Sequence, residues 1–286
     1  MKKVLITGAN SYIGRSFRNW LQKFPDQYLI HSISLRDEDW KTTNFSFYDV
    51  VFHVAGIAHI KETKKNKDLY FKVNRDLAYE VARRSKANGV KQFIYLSSMS
   101  VYGLDCGTIN ESTPLRPKSS YGKSKLQAEE LIAKLEEEKF KIAIVRPPMV
   151  YGEGCKGNYS RLSSLALKIP LFPDIQNQRS MIYIGNLCEF IRILINNESS
   201  GIFFPQNKEY VCTSEMVRLI ANIHGKKIRM TKLFNPIIKK IKVSTINKLF
   251  GNLLYEKSMS PDLEAYNVFS FEKSIELTEY KERNRS

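Results

Sequence analysis

The chain has 286 residues, 43% hydrophobic and 26% charged, with a formal net charge of +16. This is an ordinary globular composition, long enough for one large domain or a core with a smaller lobe, and no apolar run approaches the roughly 20 residues of a membrane-spanning helix. The start, MKKVLITG, lacks the apolar stretch and cleavage site of a signal peptide, and Cys106, Cys155, Cys188 and Cys212 have no metal-ligand or redox spacing, so a cytoplasmic protein without a metal is expected.

In chain order, KVLIT (3–7) reads as a buried strand leading into GANSYIG and a helical pattern over 12–24. Gly8, Ser11 and Gly14 form a G-x-x-S-x-x-G frame at this strand-to-helix junction. Such a turn brings the backbone close to a pyrophosphate while the helix start offers N–H groups. It marks Gly8, Asn10, Ser11, Tyr12, Ile13 and Gly14 as a dinucleotide-binding turn. Ser11 stands where the middle glycine is usual, with a hydroxyl able to donate to a phosphate oxygen. The second strand, 28–34, ends in SISLRDED. The acid expected there for a ribose 2′-hydroxyl is missing, whereas Arg36 suits a 2′-phosphate; Asp37 stands beside it. The pattern favours NADP, with NAD as the alternative.

Strands at 50–55 (VVFHVA), 92–98 (QFIYLSS) and 141–147 (KIAIVRP) alternate with helical patterns at 68–88 and 121–138. Continuous β-branched strands separated by helices predict a parallel sheet covered on both faces. After Pro148 the pattern is irregular, with YGEGCKGN and IPLFPDIQNQ reading as loops and helices at 185–196 and 213–224. The expected architecture is α/β and doubly wound. A nucleotide-binding domain over 1–152, completed by parts of 180–205, is joined to a smaller substrate-binding lobe over 153–286.

YGKSK places Tyr121 and Lys125 four apart at a helix start, hence on one face, and LSSMSVYG places Ser97, Ser98 and Ser100 at the end of the fourth strand. Strand C-termini are where open α/β sheets hold ligands. A phenol, with a free pKa of about 10, needs help to exchange protons near neutrality. A nearby lysine cation favours the tyrosinate, and a serine hydroxyl orients the reacting oxygen. Further on, residues 225–255 contain eight basic residues and no acidic ones, and FNPIIKKIKVSTINKLFGNLLY interleaves lysines with Ile, Leu and Phe as an amphipathic helix pair does. The segment reads as a solvated outer face, with contact to an anionic membrane surface or a partner as the alternative; no nucleic-acid motif accompanies it, and no nucleic acid is expected as a partner.

TGANSYIG, HVAG (53–56), VN (73–74), SSMSVYG, YGKSK, RPPMVYG (146–152) and RSMIYIGNL (179–187) occur in an order and spacing that resemble the extended short-chain dehydrogenase/reductases, the epimerase/dehydratase family of nucleotide sugars. The resemblance covers roughly residues 1 to 225. It implies a Rossmann-type sheet with Ser98 as catalytic hydroxyl, Tyr121 as acid/base, and Lys125 as its partner and ribose ligand. Val54, Ala55, Gly56, Asn74 and Pro148 would join the cofactor contacts. Substrate contacts would come from Ser98, Ser100, Tyr121, Asn158 and Arg179, the last two on a diphosphate, for which a guanidinium fork is suited. His59 in AGIAHIKE would either line the sugar pocket or lie at the surface.

The family's 4,6-dehydratases carry an Asp-Glu pair directly after the catalytic hydroxyl; Met99 and Ser100 cannot do that work. The missing acid and Arg36 favour a reductase that consumes NADPH, acting on the 4-keto group of a nucleotide sugar. The overall pattern, with AGIAHIKE and the late FGNLLYEKS, resembles bacterial reductases of 4-keto-6-deoxy amino-sugar nucleotides, which implies a UDP-4-keto-6-deoxy-N-acetylhexosamine as substrate for surface polysaccharide. A UDP-hexose or UDP-N-acetylhexosamine 4-epimerase is the alternative. A non-catalytic NADP-sensing scaffold is more remote, because such proteins lose the tyrosine or lysine that this chain keeps. A homodimer is left open.

Overall fold

The computed structural model describes residues 1–283 apart from His59, Lys61, Lys64, Ile241 and Lys242. In chain order the strands are β1 (Lys2–Thr7), β2 (Tyr28–Ile33), β3 (Val50–His53), β4 (Gln92–Leu96), β5 (Gly107–Ile109), β6 (Lys141–Val145), β7 (Met149–Tyr151), β8 (Leu171–Pro173), β9 (Met181–Tyr183) and β10 (Gly201–Phe203). The helices are α1 (Tyr12–Leu21), α2 (Lys67–Phe71), α3 (Ala78–Ala87), α4 (Ser120–Ala133), α5 (Asn158–Lys168), α6 (Ile184–Asn196) and α7 (Thr213–Ile223).

Six strands form one parallel sheet in the order β10-β6-β4-β3-β1-β2, a Rossmann arrangement. Its inner strands are buried on both sides, which is why they read as continuous apolar runs. Leu5, Val51, Phe93 and Ile142 face one way, in a core with Ala78, Val81 and Ala82 of α3 and Ala128 and Ile132 of α4. Their neighbours face the other way, where Phe17 of α1 meets Phe52 edge-on at 5.0 Å. Chain order reverses between β1 and β3, so the ends of these two strands form the switch point at which such sheets bind ligands.

The chain divides into two compact units. The first holds Met1–Gly103, Pro114–Pro147 and Cys188–Pro205; the second holds Leu104–Thr113, Pro148–Leu187 and Gln206–Ser286. Residues 148–152 therefore group with the second unit, unlike the boundary expected from the sequence. IPLFPDIQNQ, expected as loop, contains β8, which pairs in parallel with β11 (Arg229–Thr231). A three-residue strand whose partner lies so far along the chain leaves no local signal. The basic segment forms α8 (Asn235–Lys240) and α9 (Ser244–Phe250), the expected helix pair, before β12 (Leu253–Tyr255) pairs with β5. Within the second unit the buried carboxylate of Glu279 accepts from Tyr159 at 2.6 Å and Ser163 at 3.0 Å, and lies 2.8 Å from His224 Nε2. Among the described residues no helix is long and apolar enough to cross a membrane.

Candidate active site

At the switch point, Gly8 has φ +104°, and a Cβ there would lie 2.8 Å from Ala55 N. Only glycine lets the end of β1 run this close to the 54–55 backbone. The Gly8 and Ala9 amides donate to Ile33 O at 2.9 and 3.0 Å, clamping the end of β2 to the turn. A Cβ on Gly14 would meet Ser11 Oγ at 2.7 Å, Gly8 O at 2.9 Å and a Val54 methyl at 3.0 Å. Ser11 has φ −71° and ψ 150°, an extended conformation open to any residue, so the position needs no glycine. Its hydroxyl caps α1, accepting from Gly14 N at 2.9 Å. The cap takes one of its lone pairs and leaves the O–H proton available for the phosphate donation expected from the sequence. Asn10 is exposed, and Tyr12 and Ile13 open the helix. Arg36 follows the end of β2, its amide donating to Ser34 Oγ at 3.3 Å. The cradle of two tight glycines against a helix start fits a dinucleotide diphosphate.

One wall of the site is built on the ends of β3 and β4 and the start of α4. Ser98 closes the β4 edge as the cap of a short 3-10 turn, accepting from Ser100 N at 3.1 Å and donating to Ser100 Oγ at 3.1 Å. Ser119 caps α4 by accepting from Gly122 N at 3.1 Å, and the Glu62 carboxylate accepts from Ser120 N at 3.0 Å and Ser120 Oγ at 2.8 Å. These caps fix the first turn, which carries Tyr121. A Cβ on Gly122 would lie 2.6 Å from Ser100 O, so the glycine in YGKSK lets α4 press against the loop that carries Ser98. Sequence reasoning passed over both Glu62 and Gly122; a glycine inside a helix start was the available signal for the second.

The phenol of Tyr121 is pushed up by burial and pulled down by a hydrogen bond with the Ser98 hydroxyl. Spacing gave that lowering role to the Lys125 cation. Instead Lys125 Nζ donates to Leu96 O at 2.8 Å and lies 4.7 Å over the Tyr95 ring. Sharing a helix face sets only the direction of a long side chain, and Lys125 reaches down to the sheet. Its ammonium is brought down to about 8 by burial, against the opposing charge of Glu129 one turn on. Glu129 is itself buried, bonded to Arg146 at 2.6, 3.1 and 3.2 Å, and accepts from Ser97 Oγ. Arg146 also donates to Tyr102 at 3.1 Å. A single buried ion pair thus ties the Ser97–Ser98 edge, the 3-10 turn and the Lys125 helix together.

Asn74 is buried in a π-helical turn, Lys72–Leu77, between α2 and α3. Its side chain accepts from Ile57 N at 2.8 Å and donates to Ile57 O at 3.0 Å and Ser124 Oγ at 3.1 Å, while its carbonyl accepts from Tyr95 at 3.0 Å. Gly56 packs beside it: a Cβ there would be 3.0 Å from Asn74 Oδ1 and 3.4 Å from Lys125 Nζ. His53, at the end of β3, is fully buried with Nδ1 2.8 Å from Thr7 Oγ1. Burial, then the Lys125 charge, lowers it to about 3, so it stays neutral.

The remaining candidates lie in the second unit. Pro148 leads into β7, and Asn158 is the exposed first residue of α5, after Gly157 at φ +108°. Arg179 bridges Val211 and Leu253, and its Nη1 donates to Gly251 O at 2.8 Å and Asn247 O at 3.4 Å. Part of the fork expected to grip a diphosphate is therefore engaged with backbone carbonyls, a structural role the motif did not reveal. His59 lies outside the described residues.

Residues 4–204 match the family described as NAD dependent epimerase/dehydratase. The chain belongs to that family. It is 30% identical over 248 residues to the UDP-glucose 4-epimerase of Vibrio cholerae, covering 77% of this chain and 75% of the relative. It is 31% identical over 211 residues to the N-acetyl-α-D-glucosaminyl-diphospho-ditrans,octacis-undecaprenol 4-epimerase of Escherichia coli O157:H7, covering 71% of this chain and 63% of the relative. Among solved structures, the UDP-glucuronic acid 4-epimerase of Bacillus cereus in complex with NAD superposes with a TM-score of 0.75 at 20% identity, over 99% of each chain. The chain is thus an NAD(P)-dependent enzyme of nucleotide-sugar chemistry, and the Gly8–Gly14 cradle has the shape to fit such a dinucleotide.

Proposed function

We propose that the protein reduces the 4-keto group of a nucleotide-activated sugar, a UDP-4-keto-6-deoxy-N-acetylhexosamine for surface polysaccharide, with NADPH as a consumed co-substrate in the cytoplasm. The observation that carries this reading is the end of β2. Ser32, Ser34 and Leu35 stand where a ribose-binding carboxylate would, and Arg36 follows, so the edge suits a 2′-phosphate. Ser98, Tyr121 and Lys125 are assigned to catalysis. Gly8, Asn10, Ser11, Tyr12, Ile13, Gly14, Arg36, Val54, Ala55, Gly56, Asn74, Tyr121, Lys125 and Pro148 are assigned to the cofactor, and Asn158 and Arg179 to the substrate diphosphate.

When bound, the cofactor supplies a hydride for C4 of the sugar. Tyr121 donates its phenolic proton to the oxygen at that carbon, where negative charge develops, and the Ser98 hydroxyl hydrogen-bonds the same oxygen. Lys125, charged below about 8, is held at Leu96 O and would offer its ammonium to a ribose hydroxyl of the bound cofactor. Met99 is buried and Ser100 exposed, and neither can act as the second acid or base that elimination of water requires. The test supplies purified protein with UDP-4-keto-6-deoxy-N-acetylhexosamine and either NADPH or NADH. One NADPH oxidised per sugar, with NADH slower, supports the reading; equal use of both would remove the Arg36 argument.

The second reading is a 4-epimerase with retained NAD, favoured by the names of the two relatives, one acting on a UDP-linked hexose and the other on a polyprenyl-diphosphate-linked sugar. Interconversion of 4-epimers without added cofactor would establish it.

A further inference from the structure

We propose that the basic segment around the Lys232, Leu233, Phe234 turn is a peripheral docking surface for bilayers that contain anionic lipid. Leu233 is 75% exposed, more than any other large hydrophobic side chain among the described residues, and Phe234 beside it is 39% exposed. The tip is held out by local hydrogen bonds: Leu233 N donates to the Thr231 hydroxyl at 3.2 Å and Asn235 N to Lys232 O at 3.0 Å. Asn235 Nδ2 pins the base of the turn to Asp174 O at 2.8 Å. The leucine is thus presented to solvent by a fastened turn.

Lys227, Arg229 and Lys232 are exposed around this tip, and none has a carboxylate partner among the described residues. Lys226 is excluded, because its ammonium is spent on Leu167 O. The acid at the base of the turn, Asp174, forms no ion pair with the three cations among the described residues, and one carboxylate against three cations leaves the cluster net positive. The sequence continues basic and apolar through Lys239, Lys240 and the 53% exposed Val243. Two adjacent apolar side chains inside a cluster of unpaired cations match a lipid interface, where the apolar tip enters the headgroup boundary and the cations meet the negative surface. A nucleic acid would use the cations and leave Leu233 and Phe234 in water.

The test is cosedimentation of the full chain with vesicles of phosphatidylcholine alone or mixed with phosphatidylglycerol. Binding should require phosphatidylglycerol and weaken with salt. The triple variant Lys227→Gln, Arg229→Gln, Lys232→Gln should bind about 100-fold more weakly, at roughly fivefold per cation. Leu233→Ser with Phe234→Ser should weaken binding about tenfold or more while leaving the salt dependence in place. Both variants should turn over a soluble nucleotide sugar at the wild-type rate. Three outcomes would overturn the proposal: no dependence on phosphatidylglycerol; equal binding to duplex DNA, unaffected by the double serine variant; or a dimer in sedimentation velocity that this variant dissociates while vesicles are not bound. Vesicle binding needs neither cofactor nor sugar, so its failure is separable from failure of the reductase reading.

Discussion

Lys125 and Arg179 are both cations held by backbone carbonyls, and they differ in what stands around them. Lys125 is fully enclosed, donates to Leu96 O at 2.8 Å, and is brought down to about 8, with the carboxylate of Glu129 one turn away. Arg179 donates to Gly251 O at 2.8 Å, and burial lowers it while Asp105 opposes. A guanidinium keeps its proton at any working pH, whereas an ammonium near 8 can change charge within the working range. On the proposed assignment, the first unit holds the groups whose protonation takes part in the reaction, and the second holds a guanidinium whose charge stays fixed.

The strongest test of this contrast is Tyr121→Phe. Loss of the only proposed proton donor should lower turnover by about 10³-fold, within the range of acid–base catalysis, while NADPH binding followed by fluorescence changes little. Glu129→Gln comes next. It leaves Arg146 buried with its counter-charge removed, at a cost of about 3–5 kcal/mol in a urea titration. It also removes the charge that holds Lys125 up. The ammonium is needed charged, so kcat/KM should fall as pH rises through about 8 in the wild type and at lower pH in the variant. An unmoved limb would show that Lys125 does not set it.

Gly122→Ala is a smaller and more local change. Alanine is the better helix former, yet its methyl meets Ser100 O at 2.6 Å and must push α4 away from Ser98. Turnover should fall about 10²-fold with stability nearly unchanged by thermal melting. In the second unit, Arg179→Lys should raise KM about tenfold and leave kcat alone, because a point charge replaces a fork. A loss in kcat instead would move Arg179 into the chemistry and erase the contrast.

The smallest expected effect is on stability against pH. His53 is held near 3 in the folded protein, while in the unfolded chain it titrates near 6.5. The unfolded state therefore takes the proton first. The stability this group provides is complete above about 6.5 and is lost as pH falls toward 3, by about 1 kcal/mol between pH 6.5 and 5.5. His53→Leu should flatten that slope in urea titrations at the two pH values.

What the sequence made legible follows from the same physics. The strands β1, β3, β4 and β6 are apolar runs buried on both faces, and the residues proposed for catalysis sit at the end of β4 and in the first turns of α4, positions that spacing specifies. Ser11 was identified as the departure from the glycine frame, and its extended backbone explains why the turn tolerates it. What spacing could not give was the direction of long side chains. Lys125 turns to Leu96 O, Arg179 to Gly251 O and Glu62 to the start of α4, each a contact between residues distant in sequence. The same holds at the π turn, where the Asn74 carbonyl accepts from Tyr95 of β4, a partner distant in sequence.

The most direct measurement follows a deuterium label from C4 of the nicotinamide of NADPH into the sugar. The reductase account predicts that UDP-4-keto-6-deoxy-N-acetylhexosamine leaves the reaction with one deuterium at C4 for each NADPH oxidised, and that Tyr121→Phe abolishes the transfer. A sugar epimerised at C4 with unlabelled carbon, and with NADPH unconsumed, would contradict it.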